Sequence, residues 1–225
     1  MGYFSQDFLD FFCELKANNS KAWFDENRKR YQKSVKEPFE FFVNDVIQRV
    51  RTIEPEVDIS AKDAILRINR DIRFSKDKTP YNTHVSALVS KYGRKNKCEP
   101  GLFFRLSADS VGIMGGRYML EVDQLQRIRK TIQNDLPAFA KLTDNPQFKE
   151  KYGGFRGEKH KRIPAEFKDD VNQQPLLANK QFYYMAELPA GFALADDLLE
   201  KMINCYLAAA EVKAFLVNAT KNESN

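Results

Sequence analysis

Residues 67–81 hold three arginines (Arg67, Arg70, Arg73), two lysines (Lys76, Lys78) and two aspartates (Asp71, Asp77), a density of donors suited to phosphate or carboxylate. Leu66, Ile68, Ile72 and Phe74 alternate with Arg67, Asn69, Asp71 and Arg73, which predicts a strand over 66–74 with the polar set on one face. Arg70 falls on the apolar side, where an unpaired guanidinium would cost several kcal/mol. It therefore needs a carboxylate or carbonyl partner and reads as structural. His84, Ser86 and Arg105 would join the polar face from neighbouring strands, with Lys76 and Lys78 beside them and Lys161 and Arg162 as a second wall. The candidate ligand-binding set is thus Arg67, Asn69, Arg73, Lys76, Lys78, His84, Arg105, Lys161 and Arg162. A catalytic version makes His84, oriented by Asp71, the general base near neutral pH and the arginines anion stabilisers. Ser75 and Lys78 have the S-x-x-K spacing of acyl enzymes, but no S-D-N or K-T-G partner exists and Pro80 opposes the required helix. The opposing reading of the whole run is an Arg and Asp network that fixes the turn before Pro80.

The elements that must position these groups follow from hydrophobic period. Phe8, Phe12 and Leu15 recur at helical spacing after Ser5, and Ser20 caps a second helix carrying Trp23, Phe24 and Tyr31. That helix is expected to end before Pro38, and a third to run through Phe39, Phe42, Val46, Val50 and Ile53. Val85, Ala87 and Val89 alternate with His84, Ser86 and Ser90. Leu102, Phe104 and Leu106 alternate with Phe103, Arg105 and Ser107, and a polar turn at Ala108, Asp109 and Ser110 leads back through Gly112 to Gly116. Such a meander would have one apolar face and one polar, basic face. Val122, Leu125, Ile128 and Ile132 restore helical period, a short helix is expected near Pro137, and Phe182 begins another strand. The last helix aligns Leu198, Met202, Cys205, Ala209, Val212 and Leu216 in a stripe better suited to packing on the sheet than to a coiled coil. The expected fold class is α+β, an antiparallel meander with helices packed on one face. One domain is expected over 1–220, with a helical lead-in over 5–53, a sheet core over 64–118, a helical and loop region over 122–188 and a C-terminal helix over 194–219. A disordered tail is expected over 221–225.

The sequence resembles the bacterial domain-of-unknown-function family 2461. Trp23 and Phe24 with Asn27 and Tyr31 match its early W-F and N-x-x-x-Y, and residues 67–81 match R-x-N-R-D-x-R-F-S-K-D-K-x-P-Y. Gly115 and Gly116, then Lys161, Arg162 and Pro164, complete the pattern in order; His160 stands where a leucine would be expected. The resemblance implies a cytosolic α+β protein and brings no reaction, cofactor or catalytic residue.

Composition narrows the classes. Across 225 residues, 43% are hydrophobic and 12% aromatic, enough to build a core, and no apolar run approaches the ~18 residues of a membrane span, so no membrane partner is expected. Three scattered cysteines (Cys13, Cys98, Cys205) and two histidines make neither a disulfide framework nor a zinc set, so no metal or cofactor is implied and the cytoplasm fits best. The net charge of +5 is uneven: residues 67–105 carry ten Lys or Arg against three acids, and 156–162 carry four against one. These patches point to a small anionic ligand. The alternatives are a nucleic-acid binder, with Tyr92, Phe103 and Phe104 stacking bases beside a charged track, and an interaction module docking through the stripe of the last helix. Neither oligomeric state nor turnover is assigned by any motif.

Overall fold

Helical period governs the start of the chain, and the computed structural model, which describes residues 2–96 and 98–221, forms helices there. α1 (Gln6–Ala17) buries Phe8, Phe11, Phe12 and Leu15 on one side. α2 (Lys21–Glu26) starts at Ser20, whose side chain accepts the Trp23 N–H at 3.3 Å. α3 (Arg28–Arg30), a π-helical turn (Tyr31–Lys36) and α4 (Glu37–Ile53) follow without a gap, so the helix does not end before Pro38 as the sequence leads one to expect. The physical reason is the change of register. Proline cannot donate to the carbonyl four residues back and its ring crowds that carbonyl. In the wider turn the Glu37 N–H reaches the Gln32 carbonyl, five residues back, and Pro38 enters the first turn of α4, where its missing donor costs nothing. Beyond it, Phe39, Phe42, Val43, Val46, Ile47 and Val50 are buried.

α5 (Ala61–Ala64) is closed by a reciprocal cap between Ser60 and Asp63. Four strands follow: β1 (His84–Val89), β2 (Leu102–Ser107), β3 (Ser110–Arg117) and β4 (Phe182–Pro189). They form one antiparallel sheet in chain order, the expected α+β meander. The β2–β3 hairpin is held by Ser107, whose hydroxyl accepts the N–H groups of Asp109 and Ser110 and donates to the Ser110 carbonyl. α6 (Val122–Asn134), α7 (Leu136–Thr143) and α8 (Pro146–Tyr152) lie between β3 and β4, the last of them unforeseen. The C-terminal helix expected over 194–219 is instead two helices, α9 (Leu198–Ala208) and α10 (Ala210–Thr220), broken at Ala209. Ala209 donates to the Tyr206 carbonyl in a tight 3₁₀ closure, and a run of three alanines gives no sequence signal for that break. Apart from Lys221, the tail expected over 221–225 lies outside the described residues.

The chain divides into two compact units: Met1–Asn96, Phe103–Ile113 and Glu187–Ile203 form the first, and Lys97–Leu102, Met114–Ala186 and Asn204–Asn225 the second. In the first, Phe104 is fully buried, with ring centroids 6.0 Å from Phe39 and 5.7 Å from Phe42. In the second, Ile128, Ile132, Phe139, Phe167, Leu177 and Phe182 form the core. There Arg129 of α6 is buried and donates to the Leu177 and Asn179 carbonyls at 2.9 and 3.0 Å, so its charge is met by backbone at the end of a 3₁₀ turn (Pro175–Ala178).

Phe104→Ala should lower the unfolding free energy by about 3–5 kcal/mol, whereas exposed Tyr92→Ala should change it by less than about 0.5 kcal/mol. Urea denaturation of both variants checks this, and equal effects would contradict the burial of Phe104.

Candidate functional site

The strand expected over 66–74 does not form. Residues 65–70 make only isolated antiparallel contacts with 80–87: bridges join Ile65 to Ala87 and Asn69 to Tyr81, and the Arg70 N–H donates to the Pro80 carbonyl at 2.9 Å. Pro80 returns no donor, and beyond Arg70 short side-chain bonds replace the ladder. Asp71 accepts the Arg73 N–H and Asp77 accepts the Thr79 N–H, two Asx turns that fold 71–79 into a loop.

Arg70 holds that loop shut. Its guanidinium donates to Asp77 Oδ2 at 2.6 Å, to the Thr79 carbonyl at 3.0 Å, and to the Thr79 hydroxyl. Asp77 sits below its ordinary carboxylate range, chiefly through the Thr79 N–H and then through Arg70. Lys78 Nζ caps the Ile72 carbonyl at 3.0 Å, so Ser75 and Lys78 sit in a loop rather than on the helix an S-x-x-K site requires. The base of the loop is anchored by Asn19, whose side-chain amide donates to the Tyr81 carbonyl at 2.9 Å and accepts the Tyr81 N–H at 3.1 Å. The Tyr81 ring stacks on Phe24 at 4.0 Å, and Phe24 meets Tyr31 at 5.0 Å.

The candidate residues are therefore distributed rather than gathered on one sheet face. Arg73 is exposed and holds both oxygens of Asp71. Asn69 and Lys76 are exposed, and Arg105 pairs with Glu187 at 3.2 Å. Lys161 and Arg162 belong to the second unit, where both are exposed. β1 is buried on both faces from Val85 onward, including Ser86, and Ser90 just past its end is buried too, which corrects the expectation of an open polar face. Phe104 is core and cannot stack a base, whereas Phe74, expected on the apolar face of the strand, is 96% exposed with Arg73 over its ring at 5.8 Å because the strand does not form. Every residue of the last-helix stripe is buried, so the stripe is occupied by the chain's own packing. His84 is largely buried; desolvation, and secondarily the Arg105 charge, lower its pKa and keep it neutral at pH 7. Asp71, taken by Arg73, does not orient it.

A cleft of about 580 Å³ lies in the first unit, lined on its charged side by Lys36, Lys62, Arg67 and Arg94 with Glu40 as its only acid. Of the predicted set it contains Arg67 alone. Tyr31 and Lys36, the two ends of the π-helical turn, both line it. Lys36 stands 3.8 Å from Glu40, whereas Lys62, Arg67 and Arg94 form no ion pair among the described residues. No sequence signal marks Lys36, Lys62 and Arg94, because they are dispersed from position 36 to position 94 and only the π-helical turn leading into α4, α5 and the turn after β1 bring them together. Among the described residues no three metal-ligating side chains converge, and no helix is long and apolar enough to cross a membrane.

Hydrogen bonds to charged groups contribute about 1.5–3 kcal/mol, so Arg70→Ala should raise the open population of the loop roughly 10- to 100-fold. Limited trypsinolysis should then cut faster at Arg73, Lys76 and Lys78; an unchanged rate would show that Arg70 does not close the loop. A histidine with a depressed folded pKa takes up its proton only after the unfolded chain has done so. Its contribution to stability is therefore complete above the ordinary value of 6.5 and is lost as pH falls below it toward the folded value. His160 shifts in the same direction, also chiefly by desolvation. Thermal melts between about pH 7 and 5 should fall less for His84→Gln than for wild type, and identical slopes would contradict a depressed pKa at His84.

One family model, described as "Conserved hypothetical protein (DUF2461)", matches residues 7–215. No curated protein and no solved structure matches the chain. With the match covering all but the two ends, from α1 into α10, the chain belongs to the DUF2461 family of conserved hypothetical proteins.

Proposed function

We propose that the protein binds a small anionic ligand, bearing phosphate or carboxylate, in the cleft of the first unit. The observation that carries this reading is the charge of the lining: four cations against one acid, with Lys62, Arg67 and Arg94 left unpaired. Unpaired cations around one concavity repel each other, and a bound anion relieves that repulsion while accepting bidentate bonds from the two guanidinium groups. Arg67 is the one cation that both opens the signature run and lines the cleft. Arg70 and Arg73, by contrast, already have carboxylate partners. His84 is neutral, as a general base must be, but it is not among the lining residues, so nothing supports assigning it turnover in this cleft.

A second reading is favoured by Phe74. A fully exposed ring on a hydrogen-bonded loop, beside Arg73 and Lys76, suits stacking on an unpaired base. The first reading is preferred because the cleft offers an enclosing volume of about 580 Å³.

Inorganic phosphate at about ten times its Kd should stabilise wild type by about 1.4 kcal/mol, or roughly 3–5 °C in Tm. Arg67→Ala and Arg94→Ala should lose that shift, while Arg73→Ala should keep it. A shift lost in Arg73→Ala but kept in Arg67→Ala would move the site to the loop. Binding of an oligonucleotide that weakens steeply with salt and is abolished by Phe74→Ala would favour the second reading.

A further inference from the structure

The cleft in the first unit has two kinds of wall. Its cations are exposed, whereas Phe39 and Val85 beneath them are buried and Ile65, Leu66 and Ile68 are half-buried. A site for inorganic phosphate needs donors and little else, and a concavity of about 580 Å³ lies in the range that holds whole organic ligands. Tyr31 adds an amphipathic group. Its phenol is pushed up to about 12 by burial and by the Glu40 charge, so it remains a neutral donor with an apolar ring beneath. The helix is also widened here: Tyr31 and Lys36 bound the π-helical turn, and such turns are rare and recur at functional sites. In a regular α-helix these two residues, five apart, would lie about 140° apart around the axis, on different faces.

We infer that the ligand is an amphipathic anion, a phosphate or carboxylate head joined to an apolar body of several carbons. The head meets Arg67, Arg94 and Lys62, and the body lies along Ile65, Ile68 and Phe39. This inference rests on the cleft being the anion site. It adds a second requirement, that affinity depend on apolar area as well as on charge.

The test is calorimetric titration of the full chain with inorganic phosphate, then with n-alkyl phosphates and n-alkyl carboxylates of two to ten carbons, each below its micelle concentration. Kd should fall about fourfold per methylene, the equivalent of ~0.8 kcal/mol for each buried group, then level off once the floor is covered. The heat-capacity change should become more negative in step. Either series with this slope and a 1:1 endpoint supports the inference, and the tighter one names the head. An alkyl trimethylammonium of equal length should fail to bind, and equal binding by that cation would overturn the inference. Phosphate binding with no dependence on chain length would leave the anion reading standing and remove the apolar body. No binding by any member, phosphate included, would remove both. Ile68→Asn should flatten the slope while keeping phosphate affinity within about twofold of wild type, and the wild-type series decides the matter if that variant does not fold.

Discussion

The double hydrogen bond between the Asn19 side chain and the backbone of Tyr81 is the constraint on which the first unit depends. An amide that donates to a carbonyl and accepts the N–H of the same residue acts as a one-residue strand, satisfying a backbone that Pro80 leaves without a regular ladder. It brings the Tyr81 ring onto Phe24, and the aromatic cluster continues through Tyr31 and Phe11. From that anchor the chain runs in two directions. Backward, across the bridge to Asn69, lie Ile68 and Arg67 at the cleft; forward lies β1. The early aromatic pair and the arginine run are therefore parts of one assembly, although more than forty residues separate them.

Charge within this assembly is sorted by burial and reach. Arg70 is partly covered, and its partners Asp77 and Thr79 come from its own loop, so local hydrogen bonds offset its desolvation. Arg73 and Asp71 form a fork-to-carboxylate pair on the surface, where screening makes the pair worth little to stability but enough to set loop geometry. Arg67, midway between the bridges at Ile65 and Asn69, adds its charge to the field that lowers the Asp71 pKa and lines the cleft with cations from other elements. The fifteen-residue run thus has two roles: its later part builds a loop, and its first residue contributes to a concave basic surface.

Where the sequence was misleading, the reason is identifiable. Alternation over 66–74 is the pattern of a strand, yet a strand also needs a partner with donors. Pro80 and two Asx turns withdrew that partner, so Phe74 points into solvent instead of a core. The proline rule led to a helix end before Pro38, and a π-helical turn absorbed the missing donor. The alternation in β1 predicts a solvent face at Ser86, yet Ser86 is buried, and so is Ser90 just past the strand, because covering elements pack on both faces.

What the residues determined by themselves is the set of elements governed by local period. These include the early helices, the meander of β1, β2 and β3, the helix α6 and strand β4, and the need of Arg70 for a partner nearby. Those properties follow from contacts among residues close in sequence or from side-chain alternation, which the order of residues displays directly. Tertiary structure alone decided which cations share a concavity. Lys36, Lys62, Arg67 and Arg94 carry no mutual spacing, and their proximity results from the packing of α4, α5 and β1 around Phe39 and Val85. Hydrophobic burial places those elements, and the unpaired charges follow them into the cleft.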